Sequence, residues 1–175
     1  MRLFLGLTLS EAARDEAFRC AQKLSRLIPG KYVPPENYHL TLAFPGETDE
    51  SALKRVRNAT ERATEGMHPF VFSANGVSFF GKADKAILYC DVQESVELIE
   101  LSSRLRASLR AFEIPFDPNP FTAHITLARK ANALGLSDFS FDFSEKTTTS
   151  GITLFHSTRV DGVLCYLPIA FTPFR

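Results

Sequence analysis

The sequence predicts an α+β fold built from two pseudo-symmetric halves, with two sheets facing across a cleft. Three observations predict it. Apolar segments of strand length alternate with stretches of helical periodicity. A strand–helix–strand unit returns about halfway along the chain. A five-residue segment, His39-Leu40-Thr41-Leu42-Ala43, returns with it as His124-Ile125-Thr126-Leu127-Ala128. The chain has 175 residues, 45% hydrophobic and 23% charged, the proportions of an ordinary globule. One domain over residues 1–175 is the expectation, burying about 70% of its unfolded surface.

Each element has a local reason. Residues 2–9 are a short apolar run suited to a buried strand. Ser10 then stands as a helix cap, and Ala17, Phe18, Ala21, Leu24 and Leu27 follow at helical spacing until Pro29-Gly30 stops the helix. Tyr38 to Phe44 reads as a strand ending at Pro45-Gly46. A second helix is predicted from about Glu50 to Glu65 behind the Thr48/Asp49 cap. Strands over about 69–79 and 86–93 precede a third helix from about Val96 to Phe112, whose stripe is Leu98, Leu101, Leu105 and Leu109. Pro115, Pro118 and Pro120 break the chain before the strand Ala123–Arg129. Phe139-Ser140-Phe141-Asp142-Phe143 alternates as a strand does, and further strands are expected over about 149–157 and 162–170.

The repeat pairs strand 2–9, helix 11–27 and strand 38–44 with strand 86–93, helix 96–112 and strand 123–129. The first strands begin 84 positions apart and the two histidines lie 85 apart. Alternate side chains of a strand share a face, so His39, Thr41 and Ala43 point one way while Leu40, Leu42 and Phe44 point into the core. A pseudo-twofold would then bring two imidazoles and two hydroxyls together, with the alanines leaving room for a ligand.

Composition sets bounds on function. Twenty basic and twenty acidic side chains cancel, which excludes holding long nucleic acid by bulk charge. No apolar run approaches the 18 or so residues of a membrane span, and residues 1–9 are too short for a secretory signal. Cys20, Cys90 and Cys165 read as reduced core thiols of a cytoplasmic protein. Sixteen Phe and no Trp predict a core built on Phe. A monomer is the default.

Paired imidazoles and hydroxyls suit phosphodiester chemistry. Two histidines with pKa near 6.5 can act as general base and general acid, one deprotonating water and the other protonating a leaving ribose oxygen. Two Thr hydroxyls can donate to the phosphate oxygens where transition-state charge gathers. A metal site is not expected, because two histidines with no nearby Cys or carboxylate make a poor ligand set.

The sequence resembles the 2H phosphoesterase superfamily, and within it the bacterial and archaeal RNA 2′,3′-cyclic phosphodiesterases, also called 2′-5′ RNA ligases. The resemblance rests on Pro35 to Gly46 and Pro120 to Arg129, with Arg2 to Leu7 and Gly76 to Phe80 in support. Pro45 stands where Leu is usual and Ala123 where Pro is usual; neither departure removes a chemical group. The resemblance implies a two-lobed fold of mainly antiparallel sheets around a central cleft, with helices outside. It implies opening of a terminal RNA 2′,3′-cyclic phosphate to a 2′-phosphate, with no cofactor, metal or ATP. Its partners would be RNA ends or short oligoribonucleotides, not a membrane, and 2′-5′ linkages could be joined or cleaved reversibly. His39 and His124 would be catalytic, with Thr41 and Thr126 on the phosphate.

Other residues carry two readings each. Arg129 resembles a basic residue beside the phosphate, yet it lies five positions after His124, on the opposite face unless a bulge turns it. Phe80 resembles an aromatic near the nucleobase, or it is core. Ser157 matches a serine of the family and is expected to be structural. His68 and His156 are assigned no role, and Lys31, Lys82, Lys85 and Lys130 are expected on the surface. Two alternatives stand beside the main reading: a 2H phosphoesterase acting on another cyclic nucleotide or a 2′-5′ oligonucleotide, and a non-catalytic RNA-end binding module.

Overall fold

The computed structural model describes residues 1–175. Its order is β1 (Arg2–Thr8), α1 (Glu11–Ser25), β2 (Lys31–Tyr32), β3 (His39–Glu47), α2 (Glu50–Thr64), β4 (Phe70–Phe72), β5 (Ala74–Phe80), β6 (Ala86–Val92), α3 (Val96–Ala111), β7 (His124–Ala131), β8 (Thr147–Thr149), β9 (Gly151–Val160) and β10 (Val163–Pro173). The helix starts follow capping chemistry. Ser10, Asp49 and Ser95 each accept a hydrogen bond from the backbone N–H three residues on. Leu98, Leu101, Leu105 and Leu109 form the fully buried stripe of α3, as their spacing predicts. On α1 the buried face is Glu16, Ala17, Cys20, Ala21 and Leu24, whereas Phe18 is exposed, and Leu27 is exposed beyond the helix end at Ser25.

Seven strands run β10-β9-β1-β3-β7-β6-β5, with β2 added beside β7. The two lobes, β10-β9-β1-β3 and β7-β6-β5, meet at one residue pair, Leu40 with Ile125. Beyond that pair β3 and β7 diverge, because β2 takes the far end of β7 through Lys31–Arg129 and Tyr32–Ala128. The predicted pair of sheets is thus joined by a single rung, and the cleft opens where the ladder stops. The helices cross over. α1, from the first half, packs against β7 of the second, while α3, from the second half, packs against β3 and α2.

Several sequence expectations are corrected. Residues 139–143 form no strand: Phe139, Phe141 and Phe143 alternate half-buried against the core but no ladder partner reaches them. The buried Glu16 of α1 holds the segment's end, accepting from the Ser144 N–H (2.8 Å), the Ser144 hydroxyl (3.1 Å) and the Glu145 N–H (3.1 Å). The 69–79 stretch divides into β4, which pairs with β8, and β5, which pairs with β6. The core is built on Leu and Ala; of the Phe residues only Phe4, Phe70, Phe72 and Phe155 are buried. Cys20 and Cys90 are buried thiols, but Cys165 is half-buried on β10. No helix is long and apolar enough to cross a membrane.

Candidate active site

The two His-x-Thr segments sit on the last shared rung of the sheet. Leu40 and Ile125 are buried on one side of it, which leaves His39, Thr41, His124 and Thr126 on the other, all half-buried. In an antiparallel register centred on Leu40–Ile125, His39 stands opposite Thr126 and Thr41 opposite His124 along the two strands. Gly6 lets this strand approach: a Cβ there would stand 2.6 Å from the Leu40 carbonyl oxygen.

Each imidazole is fixed by a backbone carbonyl two residues back. His39 Nδ1 lies 2.7 Å from the Asn37 oxygen and His124 Nδ1 lies 2.7 Å from the Thr122 oxygen. A carbonyl only accepts, so Nδ1 carries the proton and Nε2 is the working nitrogen in both rings. His39 Nε2 accepts from the Thr41 hydroxyl at 3.0 Å. Asn37 is itself anchored across the fold: its side chain donates to the Leu164 oxygen (2.8 Å) and accepts from the Tyr166 N–H (3.2 Å).

The surroundings lower both pKa values. Burial pushes His39 down to about 4; the Asn37 carbonyl opposes this, while the charges of His124 and Arg129 add to it. Its ring is packed by Phe4 (4.6 Å between centroids), Tyr166 (5.0 Å) and Phe155 (5.8 Å). His124 is lowered too, chiefly by burial, opposed by the Thr122 carbonyl and aided by Arg129. It meets Phe80 edge-on at 5.0 Å and Tyr89 at 5.4 Å.

Alternation fails at the same place in both strands. Leu42 and Ala43 are both buried, as are Leu127 and Ala128, and register shifts accompany each break. The next residue therefore turns back to the cleft. That residue is Phe44 in β3 and Arg129 in β7. Lys130, at φ +52°, marks the irregularity behind Arg129. Phe44 is thus not in the core, Ala128 is fully buried rather than facing a ligand, and Arg129 lines the cleft.

Two cavities share Thr41 and Phe44. One, of about 460 Å³, has Leu42, Ala43, Phe80, Ile87, Phe121 and His124 on its wall. The other, of about 810 Å³, has His39, Arg2, Arg129, Arg159, Ser157 and Tyr166 among its lining residues. Thr126 lines neither. Phe80 stacks one face on Tyr89 at 4.1 Å. His156 lines the second cavity, while His68, Lys31, Lys82, Lys85 and Lys130 are exposed away from it. No three His, Cys, Asp or Glu side chains gather as metal ligands. Asn37, Arg2 and Phe121 lie within the segments that carry the resemblance but are given no role there, and Tyr89 and Tyr166 lie outside them; only the fold brings these side chains to the motifs.

Two related lobes, each giving a His-x-Thr strand to a shared cleft, are the architecture of the 2H phosphoesterases. The chain belongs to the LigT-like phosphoesterase family, whose model matches residues 7–89 and 91–165. It is 31% identical to an RNA 2′,3′-cyclic phosphodiesterase of Archaeoglobus fulgidus over 130 residues, 74% of this chain and 72% of that one. It is 30% identical to a protein of the same description from Thermotoga maritima, over 74% of this chain and 70% of that one. A crystal structure from Thermus thermophilus superposes with a TM-score of 0.81 at 26% identity, covering 100% of this chain and 98% of that one.

Proposed function

We propose that residues 1–175 act as one unit that opens a terminal RNA 2′,3′-cyclic phosphate to a 2′-phosphate. The observation that carries this reading is the pair of Nε2 atoms, each freed by an Nδ1–carbonyl bond, with the Thr41 hydroxyl on that of His39. The descriptions of the two relatives support the substrate class.

In this reading the cyclic phosphate lies between the lobes. Thr41 and Thr126 donate to its non-bridging oxygens and Arg129 balances its charge. Phe80 flanks the nucleobase with the face that Tyr89 leaves free. Loss of O3′ leaves the phosphate on O2′, so one imidazole takes a proton from water and the other gives one to O3′. A proton shared by the pair resides on the ring of higher affinity. His39, pushed down to about 4, is the base, and His124, lowered as well, serves as the acid once the bound phosphate favours its charged form. A phosphate between them favours the charged form of both. No step calls on a metal or cofactor, and the same geometry accepts a ribose 5′-hydroxyl in place of water, giving a 2′-5′ linkage.

The test uses EDTA-treated protein and an oligoribonucleotide ending in 2′,3′-cyclic phosphate, with the product identified by its phosphate position. A 2′-phosphate product, lost in His39→Ala and in His124→Ala, is expected. Undiminished turnover in the double variant overturns the reading; tight binding without turnover replaces it with an RNA-end binding module.

A further inference from the structure

The chain's charges cancel in total but are unevenly placed around the cleft. The 810 Å³ cavity beside His39 is lined by Arg2, Arg129 and Arg159 against one carboxylate, Glu47. The 460 Å³ cavity beside His124 sets one arginine, Arg106, against one carboxylate, Asp117, and takes its aromatic wall from Phe80 and Phe121. Arg129 is accounted for by the reacting phosphate, next to both imidazoles. Arg2 and Arg159 are left without a role. Arg2 is held with its Cζ 5.1 Å from the centre of the Phe44 ring, and Arg159 Nη1 donates to the Gly162 oxygen at 2.6 Å. Both guanidinium groups keep further N–H donors for an anion, and Ser157 and Thr158 add hydroxyls to the same lining.

We propose that Arg2 and Arg159 form a second anion subsite that takes an internucleotide phosphate of RNA beside the reacting one. The inference rests on the RNA-end reading above. On the terminal ribose the base leaves from C1′ and the chain from C5′, so the two diverge from the cyclic phosphate. The charge-balanced cavity with its aromatic walls suits the base, and the cavity with an excess of arginine suits the charged backbone. The phosphate has two sources with one chemistry: the linkage 5′ to the reacting end of the same strand, or the first linkage of a second strand that presents a 5′-hydroxyl.

Binding of product ligands to the full chain, with the 2′-5′-linked pair made 3′-deoxy at its first ribose so that it cannot re-cyclise, separates these. Adenosine 2′-phosphate reports the reacting site alone, and ApA carrying a terminal 2′-phosphate adds one upstream phosphate. The dinucleotide should bind about tenfold tighter, with a salt slope steeper by about 0.7 for one extra phosphate contact. Arg2→Ala/Arg159→Ala should erase both differences and leave the mononucleotide Kd unchanged, while Arg2→Lys/Arg159→Lys should keep most of the gain. If the gain appears instead between A2′p5′A and A2′p5′A bearing a 3′-phosphate, the subsite stands and serves the second strand. No gain in either pair, or equal loss of mononucleotide binding in the alanine variant, overturns the subsite. Failure to open a cyclic phosphate with the binding gain intact would sink the functional reading and spare the subsite.

Discussion

The two His-x-Thr strands are copies in sequence and unequal in setting. Both rings are pinned through Nδ1 to a carbonyl two residues back. His39 also takes the Thr41 hydroxyl on Nε2 and lies among Phe4, Phe155 and Tyr166, whereas His124 lies against Phe80 and Tyr89 on the wall of the smaller cavity. After the same break in alternation, β3 offers the cleft Phe44 and β7 offers Arg129. Labour is divided between motif and surroundings. The motif and its bulge decide where the nitrogen and the side chain five positions after it are delivered, and the neighbouring strands decide how readily each nitrogen keeps a proton.

The largest effect should come from erasing either ring. His39→Ala and His124→Ala should each lower kcat by about 10²–10⁴, with the double variant little worse than the singles because the rings act together. Multiplicative losses in single-turnover rates would break the pairing. Thr41→Val and Thr126→Val should follow, each near 10² in kcat/KM. Thr41→Val should in addition move the acid limb of the pH–rate profile, since Thr41 alone touches its histidine's Nε2; identical profiles for the two variants would erase the contrast.

The third effect is on stability. Unfolded, His39 titrates near 6.5; folded, burial keeps it neutral down to about 4. The unfolded chain therefore binds more protons in that window, and the fold loses stability as pH falls through it. By about pH 4.5 the loss from this ring should be about 2–3 kcal/mol, and His124 adds in the same sense. Urea unfolding at about pH 7.5 and 4.5 should show a shallower difference for His39→Gln than for the parent; equal differences would sharpen the assignment toward other groups. The smallest effect is predicted for Asn37→Ala, which loses the two bonds to β10 but not the carbonyl that holds His39. About 1–2 kcal/mol of stability and only a few-fold in kcat should go, read by denaturant midpoint and steady-state kinetics.

Much of this was legible in the sequence for local reasons. The caps Ser10 and Asp49, the α3 leucine stripe and the His/Thr periodicity each depend on residues within a turn or a strand of one another. The unread parts depend on distance. Asn37 finds its partners on β10, 127 and 129 residues away. Phe44 and Arg129 face the cleft because the paired strands β1 and β6 impose register shifts that no alternation rule within β3 or β7 contains. Phe139, Phe141 and Phe143 alternate faithfully, yet a strand needs a neighbour, and Glu16 holds their segment's end instead. Phenylalanine count misled about the core because many of those rings gather at its margin and around the cleft.

The crossing of α1 onto β7 and of α3 onto β3 makes the halves mutually dependent parts. Cut between β5 and β6, the first piece would lose the helix that shields its motif strand, and so would the second. Neither could keep its apolar strand faces from water alone. Together the two pieces hold nearly every contact of the intact chain. The covalent link between the halves is therefore the dispensable element, and the exchanged helices are the fastener.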